Sequence, residues 1–81
     1  MNDMMMRQDI LEVLNHVLSS REQDVITLRY GLITGEPHTL DEVSRMINLS
    51  RERVRQIQAK AMRKLSRPQV AERLKGWLNR F

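Results

Sequence analysis

The chain has no cysteine, and the residues that interrupt helices are few: three glycines and two prolines in 81 residues. Without cysteine, neither a disulfide framework nor a thiolate metal site is open to it, and a reducing compartment suits it. Aromatic residues are scarce too, with one Trp, one Tyr and one Phe. No apolar run approaches the roughly 20 residues that cross a bilayer, and no signal-peptide pattern opens the sequence. The expectation is a soluble intracellular protein with no membrane partner. With so few breakers, most of the sequence is free to follow a helical period. The fold class expected is all-α: a small helical domain of about five helices, single over 1–81, with no repeat or linker. A chain of this length folds without staples but buries no deep core.

Catalytic groupings are missing as well. There is no serine–histidine–acid arrangement, no Gly-rich phosphate loop and no isolated carboxylate pair. His16 falls in a helix and His38 in a loop, without ligand spacing between them, so each reads as a surface or capping histidine. No enzyme, metal or cofactor is expected.

What the sequence does have is segregated charge. Residues 1–50 carry four basic residues and eight acids, whereas residues 51–81 carry ten basic residues and two acids. Such asymmetry points to a polyanion on one side and a different partner on the other.

The helical period places a first helix over 4–18, with Ile10, Val13, Leu14, Val17 and Leu18 as its apolar face. A second starts at Ser19 or Ser20, capped by a box of Ser19 with Glu22 or of Ser20 with Gln23, and runs to Gly31 as a left-handed terminator. Residues 33–38 form a loop. Thr39, three residues before Glu42, caps a short third helix over 40–47; Asn48 and Leu49 turn the chain, and Ser50 caps a basic helix over 50–65. A short helix, a tight turn and a longer basic helix make a helix-turn-helix over about 39–66. Arg67-Pro68 ends it, and a last helix carries Val70, Leu74, Trp77, Leu78 and Phe81.

On the basic helix, Val54, Ile57, Ala61 and Leu65 share one narrow stripe, and Glu52, Gln56, Ala59 and Arg63 lie opposite it. A helix in the major groove reads bases with its N-terminal turns, which here offer Arg51, Glu52, Arg55 and Gln56. Arginine bonds guanine O6 and N7 together, glutamate accepts from a cytosine amino group, and glutamine pairs with adenine. Glu52 has two readings that are equally open: base readout, or a complement to the helix N-terminus paired with neighbouring arginines. Arg53 suits a phosphate or solvent. Lys60, Arg63 and Lys64 lie too far along to share those base pairs and suit phosphates or a neighbouring protein.

The segments RYGL (29–32), GEPHTLDEV (35–43) and SRERVRQIQAKAMRKL (50–65) closely resemble region 4, the C-terminal domain, of primary-type bacterial RNA polymerase sigma factors. The resemblance covers about residues 19–68. It implies recognition of double-stranded promoter DNA at the −35 element, TTGACA-like, and docking on the β flap of RNA polymerase core, in a bacterial cytoplasm or a plastid counterpart. On matching positions, base reading falls to Arg51, Glu52, Arg55 and Gln56. Phosphate contacts fall to Arg21, Arg29, Leu40 and Asp41, the last two through backbone amides. Lys60, Arg63 and Lys64 become positions for activator, anti-sigma or appropriator proteins. The resemblance also implies a piece of a larger sigma factor. Three departures stand out: Gln58 where the family usually has glutamate, RKLSRP in place of RKLRHP, and an unfamiliar last helix. Two other functions fit the pattern: a stand-alone helix-turn-helix repressor, and a module bound mainly by a regulatory protein.

Overall fold

The computed structural model describes residues 3–74, with side chains from residue 9 onward. Among these residues five helices follow in order: α1 Asp3–Val17, α2 Ser20–Arg29, α3 Leu40–Met46, α4 Arg51–Leu65 and α5 Pro68–Arg73. No strand occurs among the described residues.

Short hydroxyl side chains open the three central helices by satisfying amides that have no partner within the helix. Ser19, not Ser20, caps α2: its Oγ accepts from the Glu22 amide at 3.3 Å, and Glu22 Oε1 accepts from the Ser19 amide at 2.9 Å. Thr39 and Glu42 form the same reciprocal box at α3, at 3.1 and 2.9 Å. Ser50 Oγ accepts from the Arg53 amide at 3.0 Å and starts α4. Proline at the first turn opens α5, where a missing amide hydrogen costs nothing.

Two helices end in the same left-handed turn. Gly31 has φ 63° and Asn48 has φ 56°. Each is followed by a leucine whose amide reaches back to the third residue from the helix end, Leu32 to Thr27 O and Leu49 to Ser44 O, both at 3.0 Å. At Gly31 a Cβ would also lie 2.6 Å from the Glu36 carbonyl carbon, so glycine is required there twice over.

Among the described residues the interior forms two clusters. One gathers Ile10, Val13, Leu14 and Leu18 at α1 with Ile26, Leu32, Ala61, Leu65 and Leu74. The other gathers Val25, Val43, Val54 and Ile57, covered by Leu28, Leu40, Ile47 and Leu49. The stripe expected on α4 is buried along its whole length, but it is shared: Val54 and Ile57 enter one cluster, Ala61 and Leu65 the other. Of the apolar positions expected on the last helix, Val70 is half-buried and Leu74 is buried. Trp77, Leu78 and Phe81, like the methionines near the N-terminus, are positions whose side chains lie outside the described residues.

Candidate nucleic-acid interface

With its back dry and its N-terminus capped by Ser50, α4 turns Arg51, Glu52, Arg53, Arg55 and Gln56 to solvent. Two of the expected base readers hold each other. Arg55 Nε donates to Glu52 Oε2 at 2.9 Å, and its Nη2 donates to Oε1 at 2.6 Å, a two-point fork three residues apart on the helix. The Arg55 guanidinium lowers the Glu52 carboxyl below the usual carboxylate value, and Glu52 in turn raises Arg55. The pairing with a neighbouring arginine that belongs to one of the two readings of Glu52 is present in the structure. Both side chains remain more than half exposed, so a base edge can compete for either.

Arg51 leans back towards α3, its Nε 3.6 Å from Asp41 Oδ1. This pair forms one wall of an open cleft of about 570 Å³ lined by Arg29, Pro37, His38, Thr39, Leu40, Asp41 and Arg51. The cleft brings together three of the residues expected to meet phosphate, Arg29, Leu40 and Asp41, with one expected to read bases. Thr39 accepts from the Glu42 amide, and among the described residues no hydrogen bond engages the amides of Leu40 and Asp41. Arg29 Nη1 donates to the His38 carbonyl at 3.1 Å, its guanidinium carbon lies 5.6 Å from the centre of the Tyr30 ring, and its buried Nε has no hydrogen-bond partner among the described residues. Arg21, exposed in the first turn of α2, and Arg53, exposed on α4, do not line this cleft.

Further along α4 the basic residues divide. Lys60 and Arg63 are exposed. Lys64, expected beside them as an outward contact, directs its ammonium inward: Nζ lies 2.7 Å from Glu22 Oε1, whose residue is 4% exposed. Burial pushes the Glu22 carboxyl up, but the hydrogen bonds from Lys64 and Ser19 outweigh it and leave it below the usual value. Sequence reasoning found Glu22 as a cap and missed it as a buried ion-pair partner. Gln58, read from the resemblance as a departure from glutamate, is half-buried, and its Oε1 has no hydrogen-bond partner among the described residues. A neutral amide left unpaired at that depth costs less than a carboxylate would.

Among the described residues, no three His, Asp or Glu side chains stand where they could hold a metal ion, and no helix is long and apolar enough to cross a membrane.

A helix-turn-helix with a solvent-facing basic helix defines a class, and sequence comparison supplies the family. The family model described as "Sigma-70, region 4" matches residues 16–67. The chain is 44% identical over 79 residues to the RNA polymerase sigma-C factor of Nostoc sp., covering 94% of this chain and 19% of that one. It is 45% identical over 75 residues to the RNA polymerase sigma factor SigA of Clostridium acetobutylicum, covering 93% and 20%. To SigA of Synechocystis sp. it is 47% identical over 74 residues, covering 91% and 17%. The chain belongs to the sigma-70 region 4 family. It spans about a fifth of the length of these relatives.

Proposed function

We propose that this domain recognises the −35 element of promoters within an RNA polymerase sigma factor. The observation that carries the reading is the division of α4: a stripe buried from Val54 to Leu65, and an N-terminal half whose Arg51, Glu52, Arg55 and Gln56 are all exposed. These four enter the major groove and select sequence. Arg21, Arg29 and Arg53, with the backbone amides of Leu40 and Asp41, hold the phosphates on either side. The Glu52–Arg55 fork limits general attraction to DNA until a base edge replaces one partner. The first two helices dock on the polymerase β flap, and the exposed Lys60 and Arg63 meet activators or anti-sigma proteins. Lys64 takes a structural role.

The test compares binding of the chain and its variants to duplexes with TTGACA or a scrambled sequence. Arg55→Ala loses discrimination by about 1–3 kcal/mol, the worth of one bidentate base contact. Arg63→Ala leaves the preference intact. Equal weakening of both duplexes by Arg55→Ala would remove Arg55 from base readout.

A further inference from the structure

Arg51 and Arg55 each face a carboxylate, and the two pairings differ in kind. Glu52 grips Arg55 from the same helix at two points, 2.9 and 2.6 Å. Asp41 reaches Arg51 from α3, and its closest approach is Oδ1 to Nε at 3.6 Å, beyond hydrogen-bond length. Among the described residues no hydrogen bond engages the Arg51 side chain or the Asp41 carboxylate. Arg51 is therefore steered by a charge without being occupied by one, and its terminal donors stay available.

The backbone sets where both groups stand. Asp41 is the second residue of α3, which Thr39 caps, and Arg51 is the first of α4, which Ser50 caps. Val43 and Val54, both fully buried in one cluster, hold the two helices against each other. Arg45, one turn on from Asp41 along α3, is the ordinary partner for a carboxylate there. Among the described residues, however, Asp41 pairs across the turn with Arg51. The two side chains are 59% and 67% exposed, and so open a pair adds little to stability. What it fixes is the place of the guanidinium. It also sets a negative charge in the wall of the cleft, where a like charge resists a polyanion that brings no compensating contact.

We infer that the Asp41 carboxylate determines specificity: it positions the Arg51 guanidinium for a base edge and holds down binding to DNA that offers Arg51 no such edge. This rests on the promoter-binding reading above. The role belongs to the side chain and is separate from the phosphate contact assigned to the Asp41 amide. Discrimination gains because the repulsion falls on every duplex, whereas the positioned contact repays it on the right one only.

The experiment measures binding of the 81-residue chain and its variants to TTGACA, to a scrambled duplex, and to TTGACA duplexes with each base pair substituted in turn. Asp41→Asn keeps the backbone amide and the side-chain size and removes the charge. It is expected to bind the scrambled duplex about two- to fivefold more tightly and TTGACA nearly as before, so that discrimination falls by the same factor. The base pair at which it loses preference is expected to be the one at which Arg51→Ala loses preference. In an Arg51→Ala background, Asp41→Asn is expected to cost no further discrimination. Asp41→Glu returns the charge and is expected to restore discrimination. An equal change on both duplexes with base preferences intact would overturn the inference. So would a loss at a different base pair from Arg51→Ala, a loss that persists in the Arg51→Ala background, or Asp41→Glu behaving as Asp41→Asn does. In each of these cases the parent's preference for TTGACA leaves promoter reading in place. A parent chain that binds TTGACA and scrambled duplexes equally would remove both.

Discussion

Glu22 is the residue whose two roles were least evenly legible. Its capping role could be read from a serine three residues upstream, because cap and helix are neighbours in the chain. Its pairing with Lys64 joins residues 42 positions apart, and no local pattern marks it. Lys64 accordingly read as one more cation of a basic run, when it faces inward. Lys64→Met leaves a nearly buried carboxylate without its cation and should cost about 1–3 kcal/mol in urea denaturation. Because the folded-state pKa of Glu22 is lowered, the unfolded chain binds the proton more readily. The pair's stabilisation is therefore full above the ordinary carboxylate value of 4.5 and fades as pH falls through the lower folded value. Glu22→Gln should flatten this acid limb, which a pH series of thermal melts measures. The set proposed to read bases shows the same limit: composition and spacing located Arg51, Glu52, Arg55 and Gln56 on an exposed face, but the fork between Glu52 and Arg55 and the lean of Arg51 onto Asp41 are choices of rotamer.

At the scale of the elements, boundaries were legible wherever a side chain made them. Thr39 and Ser50 start helices for reasons confined to three or four residues; of the two serines offered for α2 the structure uses Ser19, and Pro68, read as ending the basic helix, also opens α5. The ends depended on backbone conformation. Gly31 announced its turn, whereas Asn48 did so less plainly, since asparagine visits the left-handed region without being confined to it. The two ends should respond differently to substitution. Gly31→Ala combines a strained φ with a clash against the 36–37 backbone and is expected to lose about 1–3 kcal/mol. Asn48→Ala meets only the conformational penalty, about 1 kcal/mol, and Asn48→Gly relieves it. Urea midpoints ordered Gly31→Ala, Asn48→Ala, parent, Asn48→Gly from lowest to highest would bear this out. Gly31 matters further because its turn brings residues 36–38 back against α2, where His38 and Arg29 clasp.

For the molecule as a whole, the all-α class followed from the scarcity of breakers, and the helix-turn-helix followed from two caps and a turn. The division of the interior into two clusters did not. Periodicity shows that Val54, Ile57, Ala61 and Leu65 share a face, but it cannot show which residues of other helices that face meets. In the structure α4 packs along α2, meets α3 in the cluster of Val54 and Ile57, and joins α1 and the end of α5 in the cluster of Ala61 and Leu65. Both α2 and α4 contribute to each cluster, so the two are expected to melt together. Leu14→Ala removes a fully buried side chain from one cluster and Val43→Ala from the other, at about 2–5 and about 2 kcal/mol. Each should lower one shared melting transition, by about 4–8 °C per kcal/mol, rather than split it. Amide exchange that separates α3 from α1 by more than the difference in overall stability would show the clusters to be independent.

The sharing of the α4 stripe has a consequence for how such a domain diverges. The four exposed residues at its front contribute to neither cluster, and the residues anchoring its back are indifferent to what the front touches. Heritable change at Arg51, Glu52, Arg55 and Gln56 therefore meets little resistance from folding; under the proposed promoter-reading role, descendants can acquire new preferences while inheriting the same scaffold intact.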